Sequence, residues 1–389
     1  MKYWRGYVTA AIFAALTWAV LAFGRRFTAL VDMVYPYVMR TAQTMLAEWS
    51  SGVSFNLWQL LLVGLIVVGL ATLVLMIVMK WSPVQWAGWV LAVCAGVYML
   101  NTVLFGLNYY AGDLAEDIRM EVAEYNVEEL TEAAVYYRDK ANLLAEKMSR
   151  DENGNVEFAD FDTLADRAGD GFRVLTYEYS YSVFAGSTLP VKALSWADFF
   201  TDRGITGVTV ALTGESSVNP QVPAVGLPFV MCHEMAHRMC IATERDGNFA
   251  AFLACQANSN LEFQYSAYFM AYRYCYNALL RSGTPEASAA AARVNSGVGD
   301  DLFRDLTTFD QFFTDNGGKA ATAAVPAQEA GSFGPVCDLL VSWHIQEVVL
   351  PAISQEESPF DPFDESQVDL SGIVNAKTEE PTEETEPDA

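Results

Sequence analysis

The sequence predicts a mainly α-helical protein in which N-terminal membrane-crossing helices precede a mostly helical domain with a small β element. Three observations carry this. Long uncharged runs fill the first 107 residues, amphipathic acidic segments follow, and a histidine pair sits on one turn of a later helix.

The uncharged runs are Tyr7–Phe23, Leu57–Met79 and Val84–Leu107. A helix needs roughly 20 apolar residues to cross the hydrocarbon layer, so each run reads as a transmembrane helix. Lys2 and Arg5 precede the first run as in a signal peptide. No small-x-small cleavage site follows and Arg25–Arg26 come next, so the run reads as retained. Lys80-Trp81-Ser82-Pro83 makes a tight turn, and Trp49, Trp58, Trp81, Trp86 and Trp89 gather where interfacial aromatics belong. Three spans place the chain ends on opposite sides. Lys2, Arg5 and Lys80 balance Arg25, Arg26 and Arg40, so basic residues do not decide the orientation. The signal-anchor character of the N-terminus points to an external C-terminal domain. The expected division is a membrane domain over 1–110, a folded domain over 111–353 and an acidic tail over 354–389.

The formal net charge of −25 argues against a nucleic-acid partner, because phosphate binding needs a basic surface. Much of that acid lies in the tail, which has few apolar residues and is expected to be disordered. The six cysteines, Cys94, Cys232, Cys240, Cys255, Cys275 and Cys337, form no CxxC and no regular framework, so they read as free thiols, with one or two disulfides as the alternative for an external domain.

Within 111–353, Asn126 and Glu129 form a capping-box pattern that starts a helix running to about Arg150. DENGNVEFADFD (151–162) breaks it. Its Asp151, Asn153, Asn155 and Asp162 fall on calcium-loop positions, but Val156 replaces the required glycine, so the stretch reads as a polar turn. GITGVTVALTGES (204–216) alternates apolar residues between glycines, as a β segment does. Pro228 suits the first turn of a helix over Phe229 to about Cys240. One or two further helices follow over Asn248 to Arg281, and Ser282–Gly299 contains a loop.

The chain holds three histidines, and two of them are His233 and His237 in HEMAH. At i and i+4 on a helix both imidazoles point the same way. Two nitrogens so placed can bind one Zn²⁺, and Glu234 can serve as general base toward a metal-activated water. A chance HExxH in such a histidine-poor chain has a probability on the order of 10⁻³. A catalytic zinc needs a third protein ligand and an open position. Glu244 and Asp246 follow closely enough to supply it, with Glu262 a weaker candidate. Tyr265, Tyr268 and His344 are candidate transition-state donors.

HEMAHRMCIATERDGNFAAFLAC resembles the DUF3810 family, a domain of unknown function in bacterial multi-pass membrane proteins that is taken to be a gluzincin-like zinc peptidase, with an HExAHxxG…ExEANF pattern. The likeness extends to LPVKALSWADFFTDRGITGVTVALTGESSVNP (189–220), FQYSAYFMAYRY (263–274), FDQFFTDNG (309–317) and SFGPVCDLLVSW (332–343). It implies a zincin-like domain behind N-terminal spans, a peptide or protein substrate, and a bacterial cell-membrane location. Where the family has Glu-Ala-Asn, this chain has Asp246-Gly247-Asn248, and Cys240 stands in for the glycine. Asp246 is then the expected third ligand, with Glu244 as the alternative. The implied activity is metal-assisted peptide hydrolysis. The competing readings are a non-catalytic membrane sensor or scaffold on a degenerate peptidase fold, and hydrolysis of a non-peptide amide such as cell-wall material.

Overall fold

The computed structural model describes residues 4–179, 183–315 and 336–352. The expected acidic tail lies outside them. The described residues up to His344 pack as one compact unit, and Ile345–Val349, which fall in a second unit, form a π-helical segment.

The chain begins with α1 (Arg5–Arg26), α2 (Thr28–Ser51), α3 (Leu57–Val78) and α4 (Pro83–Leu104). Helices α1, α3 and α4 are long and apolar enough to cross a membrane. Small residues let α1 and α4 meet at backbone distance, as membrane helices do. A Cβ on Gly6 would strike the Gly88 backbone, and one on Gly96 would lie 3.2 Å from the Phe13 ring. These pairings run in the same order along both helices, so α1 and α4 are parallel. Their C-terminal ends therefore lie together with the start of α3.

α2 is the element the hydropathy pattern left unassigned. It buries Val31, Arg40, Gln43 and Ala47 against the rest of the unit. Gln43 donates to the Ala211 carbonyl at 3.1 Å and Tyr35 to the Val103 carbonyl at 2.8 Å.

A 3₁₀ turn (Gly106–Tyr110) and α5 (Leu114–Asp117) lead to α6 (Val127–Ala145) and α7 (Phe161–Glu178). The capping box at α6 forms as expected, with Asn126 accepting from Glu129 N and Glu129 accepting from Asn126 N. Asp151–Asn155 form a turn in which the Asp151 carboxylate accepts from Asn153 N and Asn155 N, each at 2.8 Å, and α7 begins at Phe161. Next come β1 (Lys192–Ala193), α8 (Ala197–Thr201), β2 (Gly207–Val210) and β3 (Glu215–Val218). The sheet order is β1-β3-β2, with β2 antiparallel and β1 parallel to β3.

The remaining elements are α9 (Leu227–Arg238), α10 (Glu244–Ala257), α11 (Leu261–Arg281), α12 (Pro285–Asn295), α13 (Asp300–Asp315) and α14 (Cys337–His344). α12 occupies the stretch expected to hold a loop. Thr284 caps it by accepting from Ala287 N, and Ala287, Ala290, Ala291 and Val294 supply a narrow buried stripe. α9 lies in the core between β2–β3, α7, α10 and α11. All six cysteines are free; Cys94 is exposed and the other five are buried.

The start of α3 is joined to the sheet through Glu215. Glu215 on β3 accepts from Leu57 N and Trp58 N, both at 2.9 Å, and so caps the start of α3. Asn56, which would normally cap that helix with its own side chain, instead donates to the Ala193 carbonyl at 2.7 Å and accepts from Ser217 Oγ at 2.7 Å. Trp58 Nε1 donates to Ser217 Oγ at 3.0 Å.

Candidate metal centre

α9 carries His233, Glu234 and His237. Its start suits the sequence, because Pro228 at the first turn gives up an N–H that no helix would use. Its end is a Schellman motif. Cys240 N donates to the His237 carbonyl at 2.9 Å and Ile241 N to the Ala236 carbonyl at 3.1 Å. That motif needs a left-handed residue, and Cys240 takes it with φ 70°. This is the position where the DUF3810 pattern has glycine, so the glycine has a backbone reason. Arg40 from α2 closes the same helix end by donating from Nε to the Met239 carbonyl at 3.0 Å.

The turn brings the chain back. Thr243 caps α10, its Oγ accepting from Asp246 N at 3.1 Å, and Glu244 takes the first helical position. The Glu244 carboxylate then faces both histidines. His233 Nε2 and His237 Nε2 are 3.0 Å apart. Glu244 Oε2 lies 3.3 Å from His233 Nε2, and Oε1 lies 3.5 Å from His237 Nε2. Among the described residues this is the group whose donor atoms converge closely enough to hold a metal ion. The histidine side chains are 13% and 12% exposed and Glu244 is 57% exposed, so the group opens to solvent on the carboxylate side.

The surroundings set the ring chemistry. His237 Nδ1 lies 2.8 Å from the Ile241 carbonyl. A carbonyl accepts only, so that nitrogen carries the hydrogen and Nε2 keeps its lone pair toward the cluster. Burial works against the charged form of His237, but the bond to Glu244 and the nearby Glu234 charge outweigh it and shift its pKa upward. Hydrogen bonds from His233 and His237 hold Glu244 well below the usual carboxylate range. A Cβ on Gly247 would sit 3.2 Å from His233 Cε1 and 3.3 Å from His237 Cε1, so α10 approaches the rings closely here.

Glu234 is buried beside the pair. Its Oε2 accepts from Thr209 Oγ1 at 2.7 Å. Its backbone carbonyl accepts from Thr209 Oγ1 and Ser216 Oγ, both at 2.8 Å. A Cβ on Gly207 would collide with the Glu234 carboxylate. β2 is thus laid directly across the acid, and β2 is the outer strand of its sheet.

The other expected site residues fall elsewhere. Asp246, the first choice for third ligand, is at the third position of α10 and turns away from the histidines. Its carboxylate accepts from Leu114 N at 3.4 Å and from Arg245 at 3.3 Å. Burial raises its pKa and Arg245 opposes the rise. Spacing alone misses this, because the first helical position after a capped turn, not the third, faces back to α9. Glu262 accepts from Ala159 N at 2.8 Å. Tyr265 donates to Asp305 at 2.6 Å inside the core. Tyr268 and His344 lie in an aromatic cluster with Tyr136, whose ring is 6.2 and 5.0 Å from theirs. None of these three is brought to the histidine pair. The tyrosines whose hydroxyls feel the Glu244 charge are Tyr109, exposed just after α4, and Tyr274, which donates to Asn248 at 3.2 Å. Glu215, close by on β3, caps α3 and takes no part in the cluster. Thr209, Ser216 and Gly207 carried no signal of their own beyond the β alternation around them.

The family described as "Protein of unknown function (DUF3810)" matches residues 31–324. The chain belongs to the DUF3810 family. The match covers α2 through the centre to α13. No curated protein and no solved structure matches the chain.

Proposed function

We propose that this protein is a membrane-anchored zinc-dependent peptidase of the gluzincin kind, crossing the bilayer three times through α1, α3 and α4 with its helical domain outside the cytoplasm. One observation carries the reading: two imidazole nitrogens and a carboxylate meet with separations of 3.0, 3.3 and 3.5 Å. Ligands about 2.0–2.1 Å from a tetrahedral Zn²⁺ stand roughly 3.3–3.4 Å from each other. The donor set therefore fits zinc in both kind and spacing. His233, His237 and Glu244 would hold it. Bound there, zinc supplies Lewis acidity toward a carbonyl and lowers the pKa of a water.

The chain's own residues do the rest. Glu234 stands next to the ligands as the proton acceptor for the attacking water, and later as the donor to the leaving amine. Thr209 fixes that carboxylate by donating to Oε2, and Gly207 makes room for it. The outer edge of β2, unpaired among the described residues, suits an extended peptide, whose backbone can pair with it as an added strand. Tyr109, whose hydroxyl feels the Glu244 charge, is a candidate donor to a developing oxyanion.

Against the sensor or scaffold reading, a carboxylate from Glu244 beside the two histidines favours a complete ligand set. The test is hydrolysis of an unstructured protein such as casein by the detergent-purified chain, with Glu234→Gln alongside. The proposal expects metal-dependent cleavage lost by at least 10³-fold in Glu234→Gln while the metal stays bound. Equal cleavage by both proteins would overturn it.

A further inference from the structure

α3 and α4 are neighbours in sequence yet barely touch. Between them runs an apolar groove of about 1150 Å³. Its lining includes Leu62 and Gly69 on α3, Trp81 in the turn, and Cys94 and Asn101 on α4, and it ends at Leu212 in the β2–β3 turn. Along α4 the lining from Gln85 to Asn101 spans about 24 Å at helical rise, against the roughly 30 Å of a bilayer's hydrocarbon core. The groove is therefore long enough to run through most of a bilayer's hydrocarbon core.

Two further features bear on its occupant. Asn101 is exposed and lines this groove. A side-chain amide facing lipid is costly and is ordinarily met by a polar group on another helix. A Cβ on Gly69 meets nothing within 4 Å, so a side chain from a neighbour can seat there. The domain end of the groove is also not neutral ground. Leu212 belongs to the hairpin whose outer strand, β2, lies across Glu234.

We infer that the groove receives the transmembrane helix of the substrate, so that the enzyme acts on membrane-anchored polypeptides cut just outside the bilayer. This rests on the peptidase reading and names its substrate class. A chain leaving the groove at Leu212 meets the β2 edge at once. Thr209 and Gly207 lie three and five residues from Leu212, about 10–17 Å of extended chain. The scissile bond thus falls about three to five residues beyond the end of the substrate's helix. The anchoring of Glu215 and Asn56 between the sheet and the start of α3 keeps that distance fixed.

The test uses the full chain carrying Glu234→Gln in lipid vesicles. The probe is a synthetic Leu/Ala-rich single-span peptide with one cysteine at mid-depth and a short juxtamembrane extension. Mild oxidation should give a disulfide adduct with Cys94, absent in Cys94→Ser. Gly69→Trp, which fills the groove, should cut the adduct at least tenfold. Gly64→Trp, equally unobstructed on α3 but outside the groove lining, should leave it unchanged. No adduct, an adduct indifferent to Gly69→Trp, or disulfides only between two copies of the chain would overturn the inference. Zinc content and cleavage of a soluble peptide, measured on Gly69→Trp with Glu234 intact, should both be unchanged. Their absence in the parent chain would sink the peptidase reading separately, whatever the adduct shows.

Discussion

Replacing Glu215 with alanine should uncouple the sheet from the first turn of α3. The carboxylate is fully buried and does three things at once. It pairs with Lys192 Nζ at 2.7 Å and accepts from Leu57 N and Trp58 N. Breaking a buried ion pair by removing one partner costs about 3–5 kcal/mol, and losing a helix N-terminal acceptor adds about 1 kcal/mol. Lys192 keeps the Ser50 and Phe55 carbonyls at 2.9 and 3.0 Å, which places the total near the lower end, about 4 kcal/mol. With an unfolding entropy of about 2.1 cal/mol/K per residue over roughly 340 residues, that is a fall in Tm of about 6 °C. Thermal unfolding of the detergent-solubilised protein measures it. A shift below about 1 °C would refute the claim that Glu215 joins the sheet to the span.

Other expectations follow from the same structure. Thr209→Val removes the hydroxyl that holds Glu234 with little change in volume; turnover should fall about tenfold or more with metal content unchanged, read from steady-state kinetics beside elemental analysis. His344 is buried, and burial lowers its pKa from 6.5 to about 4. Between those values the unfolded chain binds the extra proton, so stability should fall as pH drops from 6.5 toward 4. The loss should reach about 3 kcal/mol, and His344→Phe should flatten it in unfolding curves taken across that range. At Cys240 the left-handed backbone costs a side chain about 1–2 kcal/mol, and burial of the thiol returns a similar amount. Cys240→Gly should therefore stay within about 1 kcal/mol of the parent, while β-branched Cys240→Val should lose more than about 2 kcal/mol, both read from denaturant midpoints.

The parts legible in the sequence are those with a local cause. Hydropathy places α1, α3 and α4 within a few residues, because a span needs only length and apolarity. Asn126 and Glu129 announce α6, and Pro228 announces α9, because caps act within one turn. The spacing of His233 and His237 is enough to put both rings on one face. α2 is missed because its buried face includes Arg40 and Gln43, polar groups whose partners lie some 170–200 residues away. α12 is missed because alanine-rich stretches carry little periodic signal until another helix covers them. The choice between Glu244 and Asp246 turns on the Schellman turn at Cys240 and the Thr243 cap, which decide which side of α10 faces back. Tyr265 and Tyr268 share the helical spacing of a site-lining face, but that face of α11 packs into the core. Glu215 needed the tertiary fold, since its partners come from a span more than 150 residues earlier.

The central claim is that His233, His237 and Glu244 hold zinc. The direct measurement is the zinc content of the detergent-purified full chain by elemental mass spectrometry, beside His233→Ala, Glu244→Ala and Asp246→Ala. The account predicts about one zinc per chain, lost in His233→Ala and Glu244→Ala and kept in Asp246→Ala. No zinc in the parent chain after reconstitution, or zinc lost in Asp246→Ala and kept in Glu244→Ala, would contradict it.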